Sequence, residues 1–306
     1  MMSWTTSNIP PQQGRLAVVT GTGGLGFECA LALARAGGEV ILAGRNPAKG
    51  AQAVAQIQAA APGAAIRFET LDLADLASVA AFAARLIGRQ EKLDLLLNNA
   101  GVMAPPKRQV TKDGFELQFG TNYLGHFALT ARLEPLLRRA SAPRVVNVAS
   151  LAHRMGQIQL DDLQWTKAYS PHKAYGQSKL AMLMFALELQ RRADAAGWNL
   201  LSAAAHPGFA RTELIANGPG DGGLPGILAR ALESVASHSA AEGALPLLMA
   251  ATSPEAVGGG YYGPTGPLEL KGPPGVAKTS RKAKDEAVAR RLWAASEQLT
   301  GETLLS

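Results

Sequence analysis

The sequence predicts an α/β fold: a doubly wound parallel sheet of about seven strands with helices on both faces, in a single domain. Three observations lead there. Short apolar runs alternate with longer alanine-rich helical patterns from Arg15 to about His206. The alternation is unbroken, which favours one domain over two. A glycine cluster, "TGTGGLG" from Thr20 to Gly26, stands where the first apolar run hands over to the first helical pattern.

Taken in order, the predicted strands are "RLAVVT" (15–20), "EVILAG" (39–44), "AIRFETLD" (65–72), "LDLLLNN" (93–99), "RVVNVAS" (144–150) and "NLLSAAAH" (199–206). Between them, stretches such as "PAKGAQAVAQIQAAA" and "LADLASVAAFAARLIG" space apolar residues three and four apart, and each crossover is long enough for one helix. Beyond His206 the pattern loosens. "NGPGDGGLPG" (217–226) reads as a loop, "SAAEGALPLLMAAT" as a helix, "GGGYYGP" as a last strand and "AKDEAVARRLWAASEQL" as a charged closing helix. The expected organisation is a flexible segment 1–14 followed by one domain, 15–306, with a substrate loop over about 207–238 and a tail from about 264.

A chain of 306 residues with 47% hydrophobic content can bury a large core. Its excess of six positive charges is spread out, and the densest patch, Lys271 to Arg291, also holds Asp285 and Glu286. That patch reads as a solvated face and not as a nucleic-acid site. Cys29 is the only cysteine and lies in the apolar run "FECALALA", so packing in a reducing compartment is expected, with neither disulfide nor metal centre. The first fourteen residues lack a signal peptide's apolar core, and no apolar run reaches the roughly 20 residues of a spanning helix. A cytoplasmic protein without membrane partners is expected.

The glycines fit a phosphate-binding strand-to-helix turn in either of two readings, Gly21/Gly23/Gly26 or Gly21/Gly24/Gly26. An NAD-preferring domain places an acidic side chain about twenty residues further on. Here "VILAGRN" puts Gly44 and Arg45 there, with Asn46 beside them. No carboxylate repels a 2′-phosphate and a guanidinium can pair with one, so NADP(H) is expected over NAD(H). Two Y-x-x-x-K spacings occur, Tyr169/Lys173 and Tyr175/Lys179. Ser170 and Pro171 read as an N-cap and first helical turn, which leaves Tyr169 outside the helix. Tyr175 and Lys179 fall inside it, one turn apart on one face. A phenol is a weak acid or base at neutral pH, and an adjacent ammonium favours its phenolate. Ser150, at the end of the fifth strand, offers a hydroxyl to a substrate oxygen gaining charge.

Together these residues resemble the short-chain dehydrogenase/reductase family, which has a Rossmann fold, from Leu16 to about Gly301. The motifs are, in order, the glycine loop, "LDL" with Asp72, "NNAG" (Asn98 to Gly101), "TNYLGHF" with Asn122, "VNVAS" ending in Ser150, "YGQSK", and "HPGFART" (His206 to Thr212). The resemblance implies a catalytic set of Asn122, Ser150, Tyr175 and Lys179. Tyr175 would transfer the proton, Ser150 would hold the substrate oxygen, Lys179 would tune Tyr175 and bind ribose, and Asn122 would hold a water leading to Lys179. It also implies cofactor contacts from Gly21, Thr22, Gly23, Gly24, Leu25 and Gly26, from Arg45 and Asn46, and from Asp72 and Leu73, with Asp72 on adenine. Asn99, Ala100 and Gly101 would line the adenosine side. Pro207, Gly208 and Thr212 would sit near the nicotinamide amide, where Tyr175 and Lys179 also reach. "VILAGRNPAKG", "NVASLAHRMGQI", "TNYLGHFALT" and "YYGPTGPLELKGPP" are similar to the branch of retinol dehydrogenases and protochlorophyllide-reductase-like proteins. The resemblance assigns the family's three glycine roles to Gly21, Gly24 and Gly26, with one departure: the family's T-G-x-x-x-G-x-G loop is a residue shorter here, between Gly21 and Gly24.

The expected activity is hydride transfer between NADP(H) and a carbonyl or secondary alcohol, with Tyr175 as general acid or base. Reduction of an activated C=C bond is the second reading, and a non-catalytic NADP(H) sensor or scaffold the third. Met155, Leu160, Trp165, Phe209, Leu214, Ile215 and Leu224 suggest an apolar pocket, hence a hydrophobic or aromatic small molecule. Family members are often dimers or tetramers, so a homodimer or homotetramer is a further expectation.

Overall fold

The structure, a computed structural model, describes residues 3–209 and 238–305. Each expected strand forms, trimmed at its ends: β1 (Leu16–Thr20), β2 (Glu39–Gly44), β3 (Ile66–Thr70), β4 (Leu95–Asn98), β5 (Arg144–Val148), β6 (Leu201–Ala205) and β7 (Tyr261–Pro264). An eighth, β8 (Pro274–Val276), corrects the strand count. It is three residues long, begins with proline and pairs antiparallel with β7, so no alternation announces it. The sheet order is β3-β2-β1-β4-β5-β6-β7-β8, parallel up to β7.

The longer helices among the described residues are α1 (Gly24–Arg35), α2 (Pro47–Ala60), α3 (Leu76–Ile87), α4 (Gly125–Leu137), α5 (Pro171–Ala195), α6 (Ala240–Thr252) and α7 (Glu286–Thr300). Local chemistry sets several starts. The Asn46 side chain accepts the Lys49 N–H at α2, Asp75 accepts from Ala77 and Ser78 at α3, and Asp285 accepts from Val288 at α7. Pro171 opens α5 after Ser170, in the first turn, where an N–H would have no helical acceptor.

Strand side chains alternate between two cores, because a parallel strand covered on both faces buries every residue. Leu16 and Val18 of β1 face one cluster with Phe82, Phe127 and Phe185, whereas Ala17 and Val19 face the other with Leu33 and Leu247. The first cluster is roofed by α3, α4, α5 and α7, the second by α1, α2 and α6. Cys29 is fully buried in the second, and burial pushes its thiol well above the usual range. In the N-terminal segment expected to be flexible, Trp4 and Ile9 pack against that same core. No helix among the described residues is long and apolar enough to cross a membrane.

The strand order reverses between β1 and β4, where the chain leaves β1 for one face and β4 for the other. The crevice beyond the carboxyl ends of the strands at such a point is where this architecture binds ligands. The described site residues expected on loops follow β1 to β6 at that edge, and Asn122, Tyr175 and Lys179 come from helical turns.

Candidate active site

Three residues, Gly21 to Gly23, carry the chain from β1 into α1. Gly21 and Gly24 have φ of 96° and 51°, backbone that a side chain disfavours. A Cβ on Gly26 would overlap the Gly21 carbonyl oxygen, and one on Gly21 would come within 2.8 Å of Asn99 Nδ2. Gly23 is the N-cap of α1 in ordinary extended backbone. The constrained glycines are therefore Gly21, Gly24 and Gly26, the second of the two readings. The first N–H groups of α1 have no helical acceptors and form a place for an anion. Leu25 is half-buried against the core. A Cβ on Gly44 would lie 2.9 Å from Thr22 Cγ2, so the end of β2 runs tight against the loop. Arg45 and Asn46 follow it, both exposed.

Thr20 joins this loop to β4. Its Oγ1 accepts the N–H groups of Asn99 (2.9 Å) and Ala100 (3.0 Å), and its carbonyl accepts Asn99 Nδ2 at 2.7 Å. The "NNAG" segment is thereby pinned with its backbone toward the crevice. Asp72 is half-buried, its Oδ1 accepting the Ala74 N–H at 3.0 Å, and Leu73 is buried beside it. Gly101 lies at the catalytic end, where a Cβ would meet Asn122 Oδ1 at 3.0 Å and Lys179 Nζ at 3.7 Å.

Asn122 sits in a π-helical turn, Gly120–Leu124, just ahead of α4. Such turns are rare, and many lie at functional sites. Its side chain is fully engaged: Oδ1 accepts the Val102 N–H (2.7 Å), and Nδ2 donates to the Val102 carbonyl (2.9 Å) and to Ser178 Oγ (2.9 Å). Its carbonyl accepts from His126 Nδ1 at 2.8 Å, and His126 Nε2 meets Thr20 Oγ1 at 3.0 Å. Burial pushes His126 down to about 3, so this bridge is a neutral imidazole.

Tyr175 and Lys179 lie one turn apart on α5, both buried, with Nζ 5.8 Å from the phenol ring centroid. Nζ donates to the Val148 carbonyl at the end of β5, at 2.9 Å. Ser150 follows two residues later and opens a short turn, Leu151–Arg154, with its Oγ accepting the Ala152 N–H at 3.2 Å. Burial raises the Tyr175 phenol to about 12, opposed by the Ser150 hydroxyl within reach of it. Burial lowers Lys179 to about 8. At neutral pH the phenol keeps its proton and the amine its charge. The other spacing does not assemble: Tyr169 precedes α5 and bonds to the Pro105 carbonyl (3.1 Å) and to Gln118 (3.1 Å), while Lys173 is exposed.

Pro207 and Gly208 continue from β6, Gly208 with φ of 70° and its N–H on His206 Nδ1 at 3.1 Å. Thr212 lies outside the described residues, as do Leu214, Ile215 and Leu224. Of the other expected pocket residues, Trp165 is buried, Leu160 packs on the core and Met155 is 75% exposed. A cavity of about 480 Å³ does use part of that segment, Gln157 to Asp162 with Lys167, Ala168 and Arg291, but none of the catalytic set. Sequence reasoning missed Thr20, His126 and the Val148 carbonyl. The first two stand in motifs already quoted, and the third is a backbone atom that no residue pattern marks.

A glycine-cradled crevice at the switch point, ending on a half-buried serine beside a buried Tyr–Lys pair, defines a nucleotide-dependent oxidoreductase. The chain belongs to the short chain dehydrogenase family, whose profile matches residues 15–219. It is 42% identical to polyprenol dehydrogenase of Mus musculus over 96% of this chain and 86% of that one. It is 40% identical to retinol dehydrogenase 13 of Homo sapiens over 94% and 85%. Among solved structures, a putative uncharacterized protein from Mycobacterium paratuberculosis is 41% identical with a TM-score of 0.82, covering 99% of both chains. A putative short chain dehydrogenase from Escherichia coli CFT073 complexed with NADPH is 27% identical with a TM-score of 0.55, covering 67% of this chain and 81% of that one. Hydride transfer with a nicotinamide cofactor is the chemistry of this membership.

Proposed function

We propose that the protein is an NADP(H)-dependent dehydrogenase/reductase acting on an apolar alcohol and its carbonyl counterpart, with Tyr175 as the proton-transfer group. The observation that carries this is the buried Tyr175 and Lys179 pair with half-buried Ser150, beside the "NNAG" backbone. The glycine cradle fits a pyrophosphate, because a Cβ at Gly21 or Gly26 would close it. Gly21 to Gly26 would hold the pyrophosphate, Arg45 and Asn46 the 2′-phosphate, and Asp72 and Leu73 the adenine, and Asn99 to Gly101 would run from the adenosine side to the catalytic end. Lys179 would hold the ribose, and Pro207 and Gly208 the nicotinamide amide.

A nicotinamide held there would supply the hydride chemistry at the carbon of the reacting group. In the reducing direction Tyr175 Oη gives its proton to the substrate oxygen as that oxygen gains charge. Ser150 Oγ donates a hydrogen bond to the same oxygen. The Lys179 charge then stabilises the phenolate left on Tyr175. A phenol held up near 12 by burial is a poor acid alone, which is why this mechanism depends on that charge and on Ser150. Asn122 positions the Val102 backbone and, through Ser178, the base of the Tyr175 turn.

Polyprenol and retinol, the alcohols in the relatives' names, are apolar, and support a substrate of that kind. The test is to follow NADPH and NADH oxidation with a panel of long-chain aldehydes, ketones and enones, identifying the products. Carbonyl reduction with NADPH preferred, and a loss of about 10²-fold or more in Tyr175→Phe with NADPH affinity kept, supports the reading. Near-normal turnover in Tyr175→Phe refutes it, and a saturated product from the enones alone would move the reaction to C=C reduction.

A further inference from the structure

Three motifs that the reaction leaves unused meet in one cluster behind Ser150, buried except for its arginine. They are the "HR" of "LAHRMG" after β5, the His206 of "HPG" after β6, and the "LEL" of the hairpin between β7 and β8. Their common point is the carboxylate of Glu269, a residue only 9% exposed. Its Oε2 accepts from Arg154 Nη2 at 2.7 Å and from His206 Nε2 at 3.2 Å, and its Oε1 accepts the Lys278 N–H at 3.0 Å.

The geometry fixes the direction of each bond. His206 Nδ1 accepts the Gly208 N–H, so its proton is on Nε2 and is donated to Glu269. The ring packs against Gly263 of β7, where a Cβ would overlap it. The Tyr261 ring fills the space between His206 and His153, 5.2 Å from one and edge-on at 5.4 Å from the other. His153 Nδ1 in turn donates to the Ser150 carbonyl at 2.7 Å. A continuous set of contacts therefore runs from Glu269 to the Ser150 turn by two routes, the Arg154 ion pair and the series His206, Tyr261 and His153.

The backbone that presents Glu269 is itself costly. Leu268 and Glu269 have φ of 56° and 60°, a left-handed pair without glycine. It is held by the Glu269 N–H on the Gly266 carbonyl (2.9 Å) and by the Phe209 N–H on the Leu270 carbonyl (2.7 Å). That second bond ties the same turn to residues 207–209, the segment read above as the nicotinamide wall. A conformation of this cost, aiming a carboxylate into the protein, is maintained by what the carboxylate does there.

We infer that Glu269 is a positioning residue of the active site: its carboxylate, braced by His206 at the end of β6, sets the Ser150 turn through Arg154 and so places Ser150 Oγ. The inference rests on the reading of Ser150 as the partner of the substrate oxygen. Glu269 touches neither substrate nor cofactor and acts through the placement of Ser150 Oγ.

The test is epistasis with Ser150. Glu269→Ala is made in the full chain, alone and on Ser150→Ala, with Glu269→Gln as the variant used if alanine prevents folding. Activity is read as kcat and KM for the same carbonyl substrate, alongside NADPH binding by fluorescence and thermal unfolding. Glu269→Ala is expected to lower kcat about tenfold or more with NADPH affinity within about threefold, yet to cost less than about threefold on Ser150→Ala. Equal losses in the two backgrounds would make Glu269 a stability residue and overturn the inference, as would an unchanged kcat in Glu269→Ala. If Ser150→Ala itself matches wild type, the reading of the site falls first, and the inference with it.

Discussion

Tyr175 and Lys179 are pushed in opposite directions by the same burial, the phenol up to about 12 and the amine down to about 8. Both shifts disfavour charge, so the site stores its proton on the tyrosine and keeps the lysine close to losing its own. The pairing read from the spacing is present. Its electrostatics were not legible, because desolvation depends on the strands and helices packed around the pair and not on its neighbours in sequence. Arg45 is the residue whose role tests most directly. It stands exposed after β2, where a carboxylate would oppose a 2′-phosphate. Arg45→Asp should shift the ratio of kcat/KM for NADPH over NADH towards NADH by about tenfold or more, as loss of a charge-assisted contact would. Steady-state kinetics with both cofactors checks it, and an unchanged ratio removes Arg45 from cofactor choice.

At the scale of elements, the strands were legible because parallel strands buried on both faces leave continuous apolar runs. The π-helical turn at Asn122 was not, since its sequence, "GTNYL", differs little from a helix. Its use became visible only with the Val102 and Ser178 partners in place. The closing helix α7 was legible as a helix, but not where it docks. Its Trp293 is almost fully buried, 5.2 Å edge-on to Phe127 of α4 and 5.7 Å from Phe185 of α5, with the Arg192 guanidinium 4.3 Å above its ring. Trp293 thus locks α7 over the two helices that carry Asn122's turn and the Tyr175/Lys179 pair. Trp293→Ala should cost about 3–5 kcal/mol of stability, read from the urea midpoint. A loss below about 1 kcal/mol would mean that α7 contributes little to holding those helices.

The whole molecule carries a built-in sensitivity to acid. His126, bridging Thr20 and Asn122, is held down to about 3, and His206, on Glu269, to about 4, both chiefly by burial. His153 is shifted the same way. Their folded values lie below the unfolded value, so between the two the unfolded chain binds more protons. The stability they contribute is complete above about pH 6.5 and is lost as pH falls from there towards 4 and 3. Each such histidine removes about 1.4 kcal/mol per pH unit in that window. Urea unfolding at pH 7.5, 6.5 and 5.5 should show a midpoint that is flat and then falls steeply. His126→Gln, which can keep both hydrogen bonds, should lessen the slope by about one proton's worth. A slope unchanged in that variant would place the acid sensitivity elsewhere.

Sequence by itself determined the doubly wound sheet, the glycine turn, the Tyr175/Lys179 pairing and Ser150 at its strand end. These follow from local periodicity and from residue types at fixed short spacing, which one segment of chain can express alone. Tertiary structure decided that His126 joins Thr20 to Asn122, and that Glu269 gathers Arg154 and His206 behind Ser150. Those contacts join segments as far apart as Arg154 and Glu269, and depend on the strand order that brings β5, β6 and β7 side by side. No local pattern encodes such an order, because it is set by how two apolar faces of one sheet are covered at once.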